Sequence, residues 1–393
     1  MNKNKTVFGF SLFFCVSGFT LAAPQPAAVD LGGFTMVPAI EIEEKYDSNI
    51  LFTETDETDS MITILAPSIQ IGAQKGVNFY GIQAAAQAGF YTNSSDDNYI
   101  DAQLQGDIHQ EFTRKSQIDL TALYAKSHEA RGTGFSQGSL VGLDEPDEFH
   151  TTSAGVDYTY GSEDAIGRIK LSASGLAKRY DNHSATTEGR ESNNYGVGAT
   201  FFYHVQPKTS LLFEIKHNQI DYTLDAVTLD STENRFLFGA EWEITSITSG
   251  NARLGLLKKD FDDGSRDNFS GFSWEIGGVW SPLTYTQFTV QTEGKTAETN
   301  GIGDYIDSKI LAIGWIHSWT TQISTNLDTF VMKNDYNPSA QEEGIVSISG
   351  AVNYDMRRWL TLSVKIGHSQ RLSNQAGQDY TKNELSFNIL ATL

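Results

Sequence analysis

From about residue 35 to the end of the chain, apolar and polar side chains alternate one by one, segment after segment. A β-strand sends successive side chains to opposite faces. In Ala102–Phe112 the even positions are Ala102, Leu104, Gly106, Ile108 and Phe112, interrupted by Gln110; the odd ones are Gln103, Gln105, Asp107, His109 and Glu111. In Thr232–Ile244, Phe236, Phe238, Ala240, Trp242 and Ile244 share one face. Leu360, Leu362, Val364 and Ile366 repeat the pattern, and Leu385, Phe387, Ile389, Ala391 and Leu393 close the chain. No long stretch has helical periodicity. The chain is therefore all-β.

Two architectures satisfy alternation. A sandwich packs its apolar face on a second sheet. A membrane barrel turns that face to lipid and its polar face to a lumen. On Tyr80–Phe90 the apolar face reads Tyr80, Ile82, Ala84, Ala86, Ala88, Phe90, with aromatics at the ends and small residues between. Alanine fills a core poorly but is tolerated against lipid, and aromatic ends match the girdles at the two membrane interfaces. Strands of about ten residues span a bilayer when tilted.

The connections decide it. Short ones fall near Lys75–Asn78, Thr113–Ser116, Gly161–Ala165, Gln206–Thr209, Thr248–Asn251, Ser281–Thr284, Trp319–Thr321 and Asp355–Trp359. Between them lie longer polar ones near Asp47–Ser60, Asn93–Asn98, Arg131–Asp147, Asp181–Glu191, Leu224–Thr232, Asp262–Asn268, Ala297–Asp304, Asn334–Glu342 and Leu372–Gln378. Strict alternation of short periplasmic turns and longer external loops is the pattern of a transmembrane barrel. The expected fold is a single antiparallel up-and-down β-barrel of about 18 strands. Pro207 and Pro282 fall in short turns, and Pro146 and Pro338 in long loops. Pro67 sits mid-strand and predicts a bulge or an early break.

Composition agrees. With 28 Lys+Arg against 49 Asp+Glu, the formal charge is −21, which excludes the basic footprint of a nucleic-acid binder. A mean hydropathy of −0.32 argues against a polytopic helical membrane protein. At the N-terminus, Lys3 and Lys5 precede the apolar run Val7–Leu21, followed by Ala22, Ala23 and Pro24. This reads as a signal peptide cut after Ala22. The one cysteine, Cys15, lies inside it, so the mature chain has no thiol chemistry. The expected division is signal peptide 1–22, a short periplasmic segment 23–34 and an outer-membrane barrel 35–393 of a Gram-negative cell.

A barrel this wide holds an aqueous lumen unless plugged. The expected lumen-facing residues carry both charge signs and many amides: Asp101, Gln103, Gln105, Asp107, Glu111, Asp119, Lys170, Glu214, Lys216, Arg235, Glu241, Glu243, Glu275, Tyr285, Gln287, Gln291 and Lys365. The external loops are acidic, notably Glu54, Asp56, Glu57 and Asp59, which disfavours entry of small anions. The loop Arg131–Asp147 is the longest and glycine-rich, and is the candidate for folding inward as a plug. The sequence holds no G-x-S-x-G, H-E-x-x-H, C-x-x-C or P-loop pattern. The eight histidines lack metal-ligand spacing, and Glu54–Asp59 lacks the glycine and spacing of a Ca²⁺ loop. No enzyme, metal or cofactor is expected.

Several short segments carry a resemblance: Tyr46-Asp47-Ser48-Asn49-Ile50; Asp59 to Ser68 with Ala66-Pro67; Ser127-His128-Glu129-Ala130-Arg131-Gly132; Arg357-Arg358-Trp359-Leu360; and Asp379-Tyr380-Thr381-Lys382-Asn383. In this order and spacing the mature chain resembles the outer-membrane family called putative beta-barrel porin 2. Leu393 departs from the terminal Phe of many barrels, though an apolar end still suits the barrel assembly machinery. The resemblance implies passive export of exopolysaccharide or capsular polysaccharide. It also implies a periplasmic polysaccharide-export protein, with Arg114, Lys115, Arg357 and Arg358 as its expected docking residues. The alternatives are a general diffusion porin for small hydrophilic solutes and a plugged structural or surface barrel.

Overall fold

The computed structural model describes residues 28–139, 143–245 and 247–393. The expected signal peptide, with Cys15 and the cut after Ala22, lies outside the described residues, as do residues 140–142 of the longest loop. A two-residue strand, β1 (Val29–Asp30), pairs with the foot of β2 (Thr35–Asp47). Then follow β3 (Ser60–Lys75), β4 (Asn78–Tyr91), β5 (Tyr99–Thr113), β6 (Ser116–Glu129), β7 (Asp147–Tyr160) and β8 (Gly167–Tyr180). Next come β9 (Ser192–Gln206), β10 (Thr209–Tyr222), β11 (Ser231–Thr245), β12 (Thr248–Phe261) and β13 (Phe269–Leu283). The chain closes with β14 (Thr286–Glu298), β15 (Tyr305–Ser318), β16 (Ile323–Asn337), β17 (Glu342–Arg357), β18 (Leu360–Ser373) and β19 (Tyr380–Thr392).

Each of β2–β19 pairs antiparallel with its sequence neighbours. The last strand returns to the first, from Thr392↔Ala39 to Glu384↔Asp47. This is a closed 18-stranded up-and-down barrel, and closure removes the exposed sheet edges an open sheet would leave. The only α-helix among the described residues is the single turn α1 (Ser184–Thr187).

The convex face follows the alternation. Ile82, Leu104, Val197, Phe238 and Ile366 are among its most exposed apolar residues, as expected of a surface solvated by lipid. Aromatics gather toward its two rims: Tyr80, Phe112, Tyr160, Tyr203 and Trp280 at one, Phe90, Tyr195, Phe236 and Phe272 at the other. Beyond the second rim the convex face becomes charged, with Lys126–Glu148 at 2.8 Å, Lys258–Asp260 at 2.7 Å and Lys333–Asp335 at 2.9 Å. A charge on lipid costs several kcal/mol at mid-bilayer and little near the interface. These pairs mark where the strands leave the membrane on the long-loop side, which is the external side.

Three details differ from the sequence reading. Pro67 makes neither bulge nor break. The β3–β4 ladder skips it and resumes in the same register, Leu65↔Ala88 then Ser68↔Ala85, while Pro67 still pairs with Ile40 of β2. The missing N–H costs rungs on one side only. The turn expected at Thr248–Asn251 lies earlier, between Thr245 and Thr248. Gly250 is no turn glycine: it pairs with Trp242, and a Cβ there would meet the Trp242 ring at 2.8 Å. An aromatic lying over a cross-strand glycine is a sheet device. The turn expected at Ser281–Thr284 falls between Leu283 and Thr286, with Pro282 at a register shift just before it.

Candidate functional site: the concave wall and the external mouth

The ladder registers sort the expected site residues. Asp101, Gln103, Gln105, Asp107 and Glu111 follow one another on β5, and Asp119 of β6 stands opposite His109. Lys170 of β8 faces Thr200, which faces Glu214 of β10; Lys216 faces Arg235 of β11; and Arg253 faces Glu275 of β13. Glu241 and Glu243 continue the face on β11, Gln287 and Gln291 on β14, and Lys365 on β18. Bonds spanning several strands show that this face is concave, since only the inside of a barrel brings non-neighbouring strands together. Tyr285 is the exception. It lies in the turn between β13 and β14, half-exposed, with its ring edge-on to His317 at 5.4 Å. The odd-numbered alternation that placed it inside stops one residue too early.

The charges on this wall are largely paired. Arg235 donates to Glu275 at 2.7 Å and to Ser273 at 2.8 Å. Lys216 lies 2.9 Å from Glu214, which also accepts from the Thr200 hydroxyl at 2.9 Å. Arg168 meets Glu241 at 2.6 Å, Lys170 meets Asp157 at 3.3 Å, and His109 meets Asp119 at 2.6 Å. Asp107 accepts from Thr121 and Gln105. Lys365 opens on a hollow of about 270 Å³ shared with Glu43, Lys45, Gln87, Tyr99 and Glu384. At the other end, Arg114 and Lys115 fill the β5–β6 turn, Arg357 ends β17 and Arg358 follows it.

The external mouth is where distant segments meet. Asp47 caps Asn49 through its backbone N–H at 3.0 Å and takes the Lys382 ammonium at 2.7 Å. Asn49 is fully buried and donates to the Thr53 and Thr381 carbonyls. Ile50 packs inward on Ile62 and Ile64, and Phe52 stands edge-on to Tyr380 at 5.2 Å. So Tyr46–Ile50 and Asp379–Asn383 lock the seam where the last strand meets the first.

The loop between β6 and β7 folds inward and crosses the opening. Arg131 anchors it with a bidentate pair to Asp97, 2.8 and 2.6 Å. The Asp97 hydrogen bond raises the Arg131 pKa above its ordinary value. Further along, Gln137 donates to Glu343 of β17 at 2.7 Å and to Gln378 at 3.0 Å. Asn300, beyond β14, reaches the Gly134 carbonyl at 3.4 Å. Phe135 lies under the Arg190 guanidinium at 3.8 Å, a cation–π contact. β17 is seven strands from β6 around an 18-stranded ring, so this loop is a strap across the mouth.

Gly132 seats the strap. Its φ is +83°, and a Cβ there would lie 1.8 Å from the Leu51 carbonyl oxygen. Only glycine takes both the conformation and the approach. We expect Gly132→Ala to free the strap from the first loop and leave the barrel folded. Limited proteolysis should then cut within residues 131–146 several-fold faster; an unchanged rate would mean the strap is held elsewhere.

The mouth has a second inward element that the sequence does not foretell. The β13–β14 ladder ends at Trp274↔Gly294, short of the strand tops. Above it the β14–β15 hairpin leans into the barrel, and its outer face packs on the inner face of β11–β13. Thr296 donates to Glu233 at 2.6 Å, Lys259 pairs with Glu298, and Tyr305 packs on Phe261 and Phe269.

The sequence matches the family described as putative beta-barrel porin 2 over residues 23–392. Among solved structures, the outer membrane protein OpdK from Pseudomonas aeruginosa is similar with a TM-score of 0.50 at 12% identity. The likeness covers 91% of this chain and 99% of that one. A structure of OpdK with vanillate gives the same TM-score, 0.50, at 13% identity and the same coverage. The FrpB iron transporter from Neisseria meningitidis is similar over 85% of this chain and 62% of its own, at 13% identity and a TM-score of 0.46. No curated protein matches. Likeness at such identity concerns the fold alone: a closed barrel of the porin type. The chain belongs to the putative beta-barrel porin 2 family.

Proposed function

We propose that the protein is a diffusion channel for small hydrophilic solutes across the outer membrane. The observation that carries this is a closed barrel with a charged and amide-rich concave wall, narrowed at its mouth by an inward strap. In this reading the residues from Asp101 to Glu111 on β5, with Asp119, Lys170, Glu214, Lys216, Arg235, Glu241, Glu243, Glu275, Gln287, Gln291 and Lys365, line the path. The polysaccharide conduit implied by the resemblance needs a passage wide enough for a hydrated polymer along the whole axis. The strap from β6 to Glu343 lies across that passage, and neither the family name nor the OpdK-like fold speaks for a polymer.

The test is reconstitution. Vesicles holding the purified barrel should swell in small sugars and stay shrunken in large dextrans, and planar bilayers should show discrete ion-conducting steps. Absence of both swelling and conductance would sink the channel reading in favour of a plugged scaffold. Deleting the gene should leave extracellular polysaccharide unchanged; retention of polymer inside the cell would revive export.

A further inference from the structure

The charge of this protein is unevenly placed along and across the barrel. The nine external connections hold eighteen carboxylates, three arginines and no lysine. All three arginines are paired: Arg131 with Asp97, Arg190 with Asp147 and Arg266 with Asp304. The eight periplasmic turns carry Arg114, Lys115, Lys208 and Arg358 against Glu163 and Asp164. An external mouth of strongly negative potential thus faces a weakly positive periplasmic rim.

The concave wall continues the excess and divides it. Among the described residues, side chains that the registers turn inward number twenty carboxylates and twelve Lys or Arg. Seven of those bases and only four of the acids sit on β8–β12. The remaining wall, β13 through the closure to β7, has sixteen acids and five bases. On the basic strip, Lys216, Arg235 and Arg253 gather within 4 Å of Glu214 or Glu275, and Arg168 pairs with Glu241. An entering anion would compete there with carboxylates already in place. A cleft lined by one sign of charge with low-dielectric walls concentrates the opposite ion.

We propose that the pore selects small cations over anions, and that cations pass along the acidic side of the lumen, from β13 round to β7. This rests on the channel reading above. The mouth excludes anions by its field, and the lumen separates the two signs laterally.

Reversal potential in a KCl gradient across a planar bilayer tests it. At about 0.1 M salt, where the Debye length is about 10 Å, K⁺ should be several-fold more permeant than Cl⁻. The preference should fall toward one near 1 M. The mouth variant D56N/E57Q/D59N and the lumen variant E43Q should each lower the ratio, while K170Q on the basic strip should raise it. A reversal potential at zero or on the anion side, with normal conductance, overturns the selectivity and leaves the channel reading standing. Cation preference that E43Q leaves unchanged overturns the acidic route. No current at all removes the channel and the inference with it.

Discussion

Replacing Gly132–Glu145 by two glycines should raise single-channel conductance several-fold while the barrel still folds. The strap is dispensable to the wall because its ends are already joined by the sheet: Glu129 and Asp147 are a ladder pair. A five-residue connection therefore bridges them without strain, within the usual length of a hairpin loop. Arg131 is kept on purpose. Asp97 is 6% exposed, and removing its guanidinium partner would leave a buried carboxylate unpaired, a costly defect. What is lost is the reach across the opening: Phe135 under Arg190, and Gln137 on Glu343 and Gln378. Those contacts are one cation–π contact and a few hydrogen bonds, so their loss affects passage far more than stability. Heat-modifiable migration on a gel should report an intact barrel. Conductance equal to wild type, with the barrel intact, would show that the strap does not limit flow.

Most of the wall could be read from sequence because its two faces differ in polarity along most strands, β15 with Ile306, Ile310 and Ile316 on its inner face being an exception. Lipid outside and a hydrated space inside impose period two, and the alternation of short and long connections then fixes which end of each strand faces outward. The reading failed where a residue had a second use. Gly250 looked like a turn glycine but makes room for Trp242. Tyr285 kept the parity of the wall one residue past its end. At the mouth, Tyr46–Ile50 and Asp379–Asn383 stood out as motifs, yet their contact could not be seen, because Asn49 and Thr381 lie 332 residues apart. The strap was recognisable as a candidate by its length and glycines. The leaning β14–β15 hairpin was not. Thr296 and Glu298 on its outer face look like a strand emerging from the membrane into water, and nothing local shows that they turn onto Glu233 and Lys259 instead.

That hairpin makes the largest stability prediction. Lys259 has no exposed side-chain surface, and its ammonium meets Glu298 at 2.5 Å, near the Phe261 ring at 5.4 Å. Glu298 is about one-third exposed and also accepts from the Tyr222 hydroxyl at 3.0 Å. The two partners are therefore not equivalent. Glu298→Ala strands a buried ammonium and should cost about 3 kcal/mol. Lys259→Met leaves a carboxylate that still reaches water and Tyr222, so it should cost clearly less. Lys259→Met with Glu298→Met removes both charges where Tyr305, Phe261 and Phe269 already supply an apolar setting, and should return close to wild type, as paired replacement of buried ions often does. Urea unfolding in lipid vesicles, followed by tryptophan fluorescence, reads all three, since Trp274 lies over Gly294 at the base of the hairpin. Equal losses in the two single variants would contradict the asymmetry. A wild-type midpoint for Glu298→Ala would mean the hairpin is held by its aromatic packing and Thr296–Glu233 alone.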